Sequence, residues 1–313
     1  MVGTLVSLND ITAAADRVRG VARRTPLLPS ALPGLLLKCE NMQPMGAFKV
    51  RGAYNMVAQL AADVRARGVI TYSSGNHGQA VALAAQRLGA PAVIVMPETA
   101  PSVKVEGARG YGAEVVFAGR TSFDRKHRAE EIASSRGLTI VPPFDHEWII
   151  AGQGTLGLEI LEQCPEVKTV FVPVGGGGLI AGVATAIKRS RRDVRVIGVE
   201  PSGAPKMSTA LAAGGPVTLE KTASIADGLL TMRAGEITFA HAKAYVDQVL
   251  TVTDDQIVAA VKWLFATAKI VAEPSGAATT AAVMAHRVPD GTAVAVVSGG
   301  NVAPEEFARY IAG

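Results

Sequence analysis

Lys49 is the residue of this 313-residue chain whose surroundings most favour chemistry. It lies between Phe48 and Val50 in the stretch GAFKVRGA, where its immediate neighbours are apolar. A lysine amine that is removed from water has a lowered pKa and becomes a usable nucleophile. Alternatively, the aliphatic part of the side chain covers the start of a helix while the ammonium group stays in water. Taken alone, the stretch favours the second interpretation.

Four consecutive glycines, Gly175–Gly178, follow the apolar stretch TVFVP. A tight turn needs one or two glycines, and each further glycine weakens a helix by up to about 1 kcal/mol. The run therefore indicates a backbone cradle whose N–H groups bind a phosphate. Dinucleotide binding is a second interpretation of the same loop, because the loop satisfies G-x-G-x-x-A and Glu200 ends the next predicted strand.

Two more loops carry polar groups directly after predicted strands. SSGNHG follows VITY and begins a predicted helix, whose first N–H groups can bind an anionic oxygen, although Ser74 as an ordinary helix cap explains the same residues. VVSGGN places Ser298 after the last predicted strand, where a plain turn is the simpler interpretation. An amine together with a phosphate cradle is what pyridoxal 5′-phosphate requires, because its aldehyde bonds to lysine and its phosphate binds backbone N–H groups.

The elements that must position these groups alternate between strand and helix from position 68 onward. One helix is predicted from Lys49 to Gly68 and another over residues 152–163, whereas SIADGLLTM is predicted to be irregular. We expect an α/β fold of two lobes, with parallel-rich sheets flanked by helices and a division near Pro142. Ligands would bind in the crevice at the carboxyl ends of the strands.

The composition indicates an ordinary globular protein, because 49% of the residues are hydrophobic and 19% are charged. The net charge of +4 comes without a nucleic-acid motif, so no nucleic-acid partner is expected. No apolar run reaches the ~18 residues of a membrane span, and the N-terminus lacks a signal pattern. Cys39 and Cys164 belong to no metal or redox motif, which is typical of a reducing compartment. We expect a cytoplasmic protein without a membrane partner.

Seven stretches resemble the serine/threonine dehydratase and serine racemase family of fold-type II pyridoxal phosphate enzymes: GAFKVRGA, SSGNHGQA, AGQGTLGLEI, VPVGGGGLIAG, SIADGL, AEPSGA and VVSGGN. The resemblance covers nearly the whole chain and implies a two-lobed fold like that of the tryptophan synthase β subunit. Residues 1–60 and 145–313 would form the large, cofactor-binding domain, and residues 61–144 a small domain that closes over the substrate. The resemblance also implies a homodimer.

The same resemblance assigns cofactor roles to residues of these stretches. Lys49 would carry pyridoxal 5′-phosphate as a Schiff base and act as the catalytic base, with Phe48 against the pyridine ring. The phosphate would be bound by Gly175, Gly176, Gly177 and Gly178, the ring hydroxyl by Asn76, and the ring nitrogen by Ser298. A serine hydroxyl at that last position, unlike a carboxylate, does not force the ring nitrogen to be protonated.

A hydroxy amino acid is the substrate that the resemblance implies. Its carboxylate would be bound by Ser73, Ser74, Asn76, His77 and Arg125. The expected reaction is dehydration of L-threonine or L-serine to a 2-oxo acid and ammonia. Serine racemisation and 3-hydroxyaspartate dehydration remain alternatives, because racemase-type members have a serine at the position of Ser74 that reprotonates the α-carbon.

One departure from the family pattern concerns a cation site. Racemase-type members often bind Mg²⁺ through a glutamate, here Glu200, and an aspartate at the position where this chain has Lys206. An ammonium group cannot be a metal ligand, and its charge disfavours a cation beside it. We therefore expect no bound metal and a pairing of Lys206 with Glu200.

Overall fold

A computed structural model describes residues 5–73, 75–100, 102–119, 122–286 and 290–312. Within these ranges the chain forms two separate β-sheets with helices packed on them. The strands are β1 (Leu27–Pro29), β2 (Leu35–Cys39), β3 (Val69–Tyr72), β4 (Ala92–Met96), β5 (Glu114–Phe117), β6 (Thr139–Ile140), β7 (Val167–Pro173), β8 (Arg195–Pro201), β9 (Gln248–Val252) and β10 (Thr292–Val297).

The larger sheet has the strand order β1-β2-β10-β7-β8-β9, and the smaller sheet has the order β5-β4-β3-β6. Only the β1–β2 pair is antiparallel among the described strands. Central parallel strands are buried on both faces, which explains why TAVAVV and TVFVP are nearly continuous apolar runs. The carboxyl ends of the parallel strands in each sheet lie at one edge, where the polar loops follow.

The helices complete the layers on both sheets. They are α1 (Leu8–Val18), α2 (Val50–Gln59), α3 (Ala62–Arg67), α4 (Asn76–Leu88), α5 (Ser102–Gly110), α6 (Ser122–Arg136), α7 (Glu147–Gln163), α8 (Gly178–Ser190), α9 (Lys206–Ala213), α10 (Glu236–Tyr245), α11 (Asp254–Ala268), α12 (Pro274–His286) and α13 (Pro304–Ala312), with 3-10 turns at Glu40–Met42 and Asp227–Leu229. In the described part of the chain, no helix combines the length and the apolar character needed to cross a membrane.

Helices α7 and α8 pack with their backbones in contact. A Cβ atom added at Gly182 would lie 2.3 Å from the carbonyl oxygen of Ile150, and one added at Gly154 would lie 2.9 Å from the carbonyl oxygen of Gly182. Contacts this short exclude any side chain larger than hydrogen at these positions. The glycines of AGQGTLGLEI therefore fix the place of α8, the helix that begins at the glycine run.

The single helix predicted between Lys49 and Gly68 is wrong, because the structure has two helices there. Leu60 and Ala61 separate α2 from α3 with extended ψ angles of 137° and 149°. The Leu60 side chain is buried in the hydrophobic cluster that packs against the smaller sheet, so its packing outweighs the helix propensity of the segment.

Two other helices differ from the sequence-based expectation. Helix α7 begins at Glu147 rather than at 152, because Nδ1 of His146 accepts a hydrogen bond from the N–H of Trp148 and caps the helix. Helix α10 was not predicted. Its first three N–H groups donate to the carboxylate of Asp145, which lies 91 or more residues earlier in the chain. A cap supplied from so far away leaves no local sequence signal.

Candidate active site

Lys49 is positioned by main-chain pairing between two loops that are distant in the sequence. The N–H of Phe48 donates to the carbonyl oxygen of Ser298 at 3.1 Å, and the N–H of Gly300 donates to the carbonyl oxygen of Gly46 at 2.9 Å. The segment before α2 thus runs beside the loop after β10. This pairing brings Lys49 and Ser298 into one crevice at the carboxyl end of the larger sheet.

Among the described residues, the Lys49 amine donates to the carbonyl oxygen of Pro143, at 2.7 Å from Nζ. Burial lowers the pKa of this amine from 10.5 to about 8. The ring of Phe48 lies with its centroid 5.2 Å from Nζ. An amine with this pKa is uncharged in roughly a tenth of the molecules at pH 7. The geometry therefore supports the nucleophile interpretation over the solvated lysine.

Phe144 links the lysine to the glycine loop, because it follows Pro143 in the chain. A Cβ atom at Gly176 would lie 2.3 Å from the ring of Phe144, and one at Gly178 would lie 3.0 Å from Cβ of the same residue. The Pro143–Phe144 segment therefore contacts Lys49 with one residue and the glycine loop with the next. The amine and the loop border the same space.

The remaining glycines of the loop are enclosed from the other side. A Cβ atom at Gly175 would lie 3.0 Å from the carbonyl oxygen of Gly228, and one at Gly177 would lie 2.8 Å from Oγ1 of Thr238. Gly177 also has a φ of 98°, the left-handed conformation that favours glycine, directly before α8 begins at Gly178. The start of a helix is a ready site for phosphate. The cradle and the lysine amine together fit pyridoxal phosphate.

Asn76 begins α4, and its side-chain amide is held on both sides. Nδ2 donates to Oε1 of Glu273 at 2.6 Å, and Oδ1 accepts from Nδ2 of Asn301 at 2.7 Å. Glu273 is 5% exposed. Burial, together with the charge of Asp227, raises the pKa of its carboxyl to about 8. An acid that is largely uncharged at neutral pH therefore borders the crevice next to Asn76.

The residues predicted to bind a substrate carboxylate lie around the start of α4. Oγ of Ser73 accepts a hydrogen bond from the N–H of Gly75 at 3.3 Å, whereas Ser74 lies outside the described residues. Nε2 of His77 lies 3.1 Å from the carbonyl oxygen of Val141, so this nitrogen carries the proton. Burial, and then the charge of Lys49, lowers the pKa of His77 to about 3. The imidazole is therefore neutral, and its remaining nitrogen is an acceptor.

Arg125 lies in the first turn of α6 and is half-buried. Burial lowers the pKa of its guanidinium group, and the charge of Asp124 partly offsets this effect. Because β3, β4 and β5 are parallel, the helices that follow them begin at one edge of the smaller sheet. Arg125 and the start of α4 are thus at the same edge.

The predicted pairing of Glu200 with Lys206 is present. Both side chains are fully buried, with Nζ of Lys206 3.6 Å from Oε2 of Glu200, and this Nζ also donates to two backbone carbonyls at 2.9 Å. The Glu200 carboxylate accepts from the N–H groups of Met207 and Ser208 and from the Ser208 hydroxyl. Because the Glu200 side chain is fully buried among these partners, it is out of reach of a ribose, and the dinucleotide interpretation of the glycine loop is wrong.

Several groups of the crevice were missed by sequence reasoning. Pro142 and Pro143 were interpreted only as a boundary, although the carbonyl of Pro143 binds the Lys49 amine. Glu273 and Asn301 belong to stretches that carry the family resemblance, yet they lie 197 and 225 residues from Asn76. The available signal for Glu273 was a charged residue between Ala and Pro in the sequence AEP, which separates two predicted helices.

Comparisons with known proteins define the class. Residues 18–299 match the family described as pyridoxal-phosphate dependent enzyme, so the chain belongs to that family. The cofactor is pyridoxal phosphate, as predicted, and the predicted fold class is confirmed. Within the family, the chain belongs to the group of threonine dehydratases and serine racemases.

Three similar proteins show this placement. The chain is 40% identical to serine racemase of Schizosaccharomyces pombe, with 98% of each chain covered. It is 43% identical to the biosynthetic L-threonine dehydratase of Pasteurella multocida over 92% of this chain, and it spans 58% of the length of that protein. The structure of maize serine racemase has a TM-score of 0.94 at 37% identity, covering 98% of this chain and 97% of that one.

Proposed function

We propose that this enzyme dehydrates L-threonine or L-serine to 2-oxobutanoate or pyruvate and releases ammonia. The observation that carries the proposal is the Lys49 amine, whose pKa burial lowers to about 8 and which donates to Pro143, next to the Phe144 that contacts the glycine loop. The similarity to an L-threonine dehydratase supports this reaction. In net terms, the substrate loses its β-hydroxyl and its α-proton, and water then replaces the amino group.

The residues of the crevice would have separate roles in cofactor binding and catalysis. Gly175–Gly178 would hold the cofactor phosphate with main-chain N–H groups, and Phe48 would pack against the ring. Bound pyridoxal phosphate supplies an aldehyde carbon that bonds to amines and a ring that withdraws electrons from the α-carbon. Lys49 removes the α-proton as general base, which a buried amine with a pKa near neutrality can do. The Ser298 hydroxyl would face the ring nitrogen. Unlike a carboxylate, it does not force that nitrogen to be protonated.

The start of α4 would orient the substrate carboxylate. Helix N-termini present N–H groups to anions, and Ser73, Ser74 and Asn76 add polar side chains there. His77 contributes its main-chain N–H, because its neutral ring donates to Val141 and offers only an acceptor. Arg125, at the same edge of the small sheet, would add a positive charge from α6.

Serine racemisation is the second candidate. It is favoured by the similarity to the serine racemase of Schizosaccharomyces pombe, which extends over 98% of both chains. One experiment separates the reactions: the purified holoenzyme is given L-serine, and pyruvate and D-serine are measured in the same samples, with L-threonine and 3-hydroxyaspartate in parallel. The proposal expects 2-oxo acid as the dominant product. D-serine at a comparable rate would assign the protein to the racemases, with Ser74 as the second acid/base.

Lys206 supports a reaction that needs no divalent cation at Glu200. The ammonium group lies 3.6 Å from the carboxylate, and both carboxylate oxygens already accept hydrogen bonds. Turnover should therefore be the same in EDTA and in Mg²⁺. Strong activation by Mg²⁺ would contradict this part of the proposal.

The proposal includes the assembly and the domains. The smaller sheet would belong to a mobile domain of residues 61–144, closing on a larger domain of residues 1–60 and 145–313. We also propose a homodimer in the cytoplasm. The mass measured by light scattering behind a size-exclusion column checks the dimer, and a monomeric mass would overturn it.

A further inference from the structure

Three polar side chains form a line beside the crevice: Asn301, Asn76 and Glu273. They come from three segments, namely the loop before α13, the start of α4 and the loop before α12. Nδ2 of Asn301 lies 2.7 Å from Oδ1 of Asn76, and Nδ2 of Asn76 lies 2.6 Å from Oε1 of Glu273. Asn301 and Glu273 therefore contact the two ends of one amide group.

The direction of these hydrogen bonds is determined at one end by the main chain. Nδ2 of Asn301 also donates to the carbonyl oxygen of Met45 at 2.8 Å. A carbonyl oxygen only accepts, so Asn301 must turn its NH₂ group, rather than its oxygen, toward Met45 and Asn76. Asn76 must then present Oδ1 to Asn301, and its NH₂ group faces Glu273. The orientation of both amides therefore follows from the Met45 carbonyl, which can only accept a hydrogen bond.

Two glycines leave the space that this line occupies. A Cβ atom at Gly46 would lie 2.2 Å from Oδ1 of Asn301, and one at Gly299 would lie 2.2 Å from Oε1 of Glu273. Any side chain at either position would displace one end of the line. The same two loops pair with each other around Lys49 and Ser298, so the line is built into the wall of the crevice.

We propose that Glu273 and Asn301 are positioning residues that lock the Asn76 amide so that it can only donate a hydrogen bond to the ring oxygen of pyridoxal phosphate. The inference rests on the proposed contact of Asn76 with that ring oxygen. Oδ1 of Asn76 is used by Asn301 and one N–H by Glu273, which leaves one N–H for the cofactor. A donor favours the ionised form of the oxygen it faces, whereas a reversed amide would present its carbonyl and favour the neutral hydroxyl.

The test is the absorbance spectrum of the holoenzyme without substrate, between pH 6 and pH 10. The ratio of the bands for the ionised and the neutral ring oxygen is compared in wild type, Glu273→Ala and Glu273→Gln. We expect Glu273→Ala to shift the ratio toward the neutral form by about threefold or more, the scale of one hydrogen bond. Glu273→Gln should retain the wild-type ratio, because its side-chain carbonyl still accepts from Asn76.

The two variants also separate orientation from charge. Above about pH 8, where Glu273 becomes charged, removing its negative charge would by itself favour the ionised oxygen, which is the opposite of the shift expected for Glu273→Ala. Asp227 and Lys104, the charged groups that act on Glu273, stay in place in both variants. Equal shifts in Glu273→Ala and Glu273→Gln, in either direction, would show that the ratio does not depend on an acceptor for the Asn76 amide and would overturn the proposal.

Asn301→Ala tests the other end of the line without changing any charge. It should shift the ratio in the same direction as Glu273→Ala, and a wild-type spectrum would overturn the proposal even if Glu273→Ala binds the cofactor poorly. Asn41→Ala is the matched control, because Asn41 donates to the carbonyl of nearby Val271 but is not part of the line. Since no substrate is present, the spectra decide this inference independently of whether the enzyme proves to be a dehydratase or a racemase.

Discussion

Lys49 and Arg51 lie two positions apart at the start of α2, where Lys49 is half-buried and Arg51 is fully buried. Arg51 is fully buried and has charged partners: Nε is 2.7 Å from Glu40, and Nη1 is 2.7 Å from Glu159. Burial opposes the charge, but the two glutamates together raise the pKa of Arg51 above its ordinary value. Lys49 has a carbonyl in place of a carboxylate, and its pKa falls to about 8.

The difference shows what makes a buried cation structural or reactive. Paired carboxylates fix the charge of Arg51 and attach the start of α2 to the core, where Glu40 also accepts from Thr25. The neutral carbonyl of Pro143 does not fix the charge of the Lys49 amine, which can therefore lose its proton. The same short segment thus carries an anchor and a nucleophile, and the rigidity of the first supports the placement of the second.

Replacing Lys49 gives the largest expected effect on activity. Lys49→Ala should lower 2-oxo acid formation by a factor on the order of 10³ or more, because it removes both the nucleophile and the general base. The variant should unfold at the same denaturant concentration as wild type or at a higher one, since a desolvated amine is lost. Activity assays check the loss of turnover, and urea unfolding checks the stability. Retained turnover would contradict the assignment of Lys49.

Replacing Arg51 should give the largest effect on stability. Arg51→Met leaves Glu40 buried without its cation, so the free energy of unfolding should fall by about 3–5 kcal/mol. Urea unfolding measures this loss. The double variant Arg51→Met with Glu40→Met removes both charges and should recover part of it. A loss below about 1 kcal/mol for the single variant would show that the ion pair is not what holds this segment.

Lys206 is another fully buried cation, and its replacement should have an intermediate effect on stability. In Lys206→Met, Glu200 keeps its three donors from Met207 and Ser208, so the expected loss is about 1–3 kcal/mol. Lys188→Met is the matched control, because Lys188 pairs with Asp247 near the surface and should cost less than about 1 kcal/mol. If the two variants lost the same free energy of unfolding, the ion pair of Lys206 would contribute no more to stability than a surface ion pair.

The pH dependence of stability tests the lowered pKa of Lys49 directly. The pKa of Lys49 is 10.5 when unperturbed and about 8 in the folded protein, so between these values the unfolded chain binds more protons. Stability therefore rises with pH across this interval, and the contribution is absent in Lys49→Met. Urea unfolding of the cofactor-free proteins at pH 7 and pH 10 checks this difference. A parallel pH dependence in both proteins would contradict the lowered pKa.

The local sequence was sufficient to predict features that depend on a single segment of the chain. The glycine run, the apolar strands and the helix after VITY follow from composition and periodicity, and the structure has each of them. The boundary between α2 and α3 did not follow, because burial of Leu60 rather than propensity ends α2. The family resemblance, carried by seven stretches, identified the cofactor beyond what the residues alone decided.

Groups assembled from distant segments were not predictable from local patterns. Asp145 caps α10, and Glu273 and Asn301 meet at Asn76, across sequence separations of 91 to 225 residues. The Lys49 amine was ambiguous for the same reason, because the carbonyl that binds it belongs to Pro143. In each case one residue type is visible in the sequence, while its partner is defined only by the fold.

The position of β10 has a consequence for how the protein is made. This strand, the last of those described, lies between β2 and β7 in the larger sheet. During synthesis, β2 therefore waits for more than 250 residues before its parallel neighbour β10 exists. The loop that pairs with Gly46 and Phe48, beside Lys49, follows β10. Contacts of such long range slow folding and leave strand edges open meanwhile. The surroundings of the nucleophile are thus complete only after β10 and the loop that follows it have been synthesised.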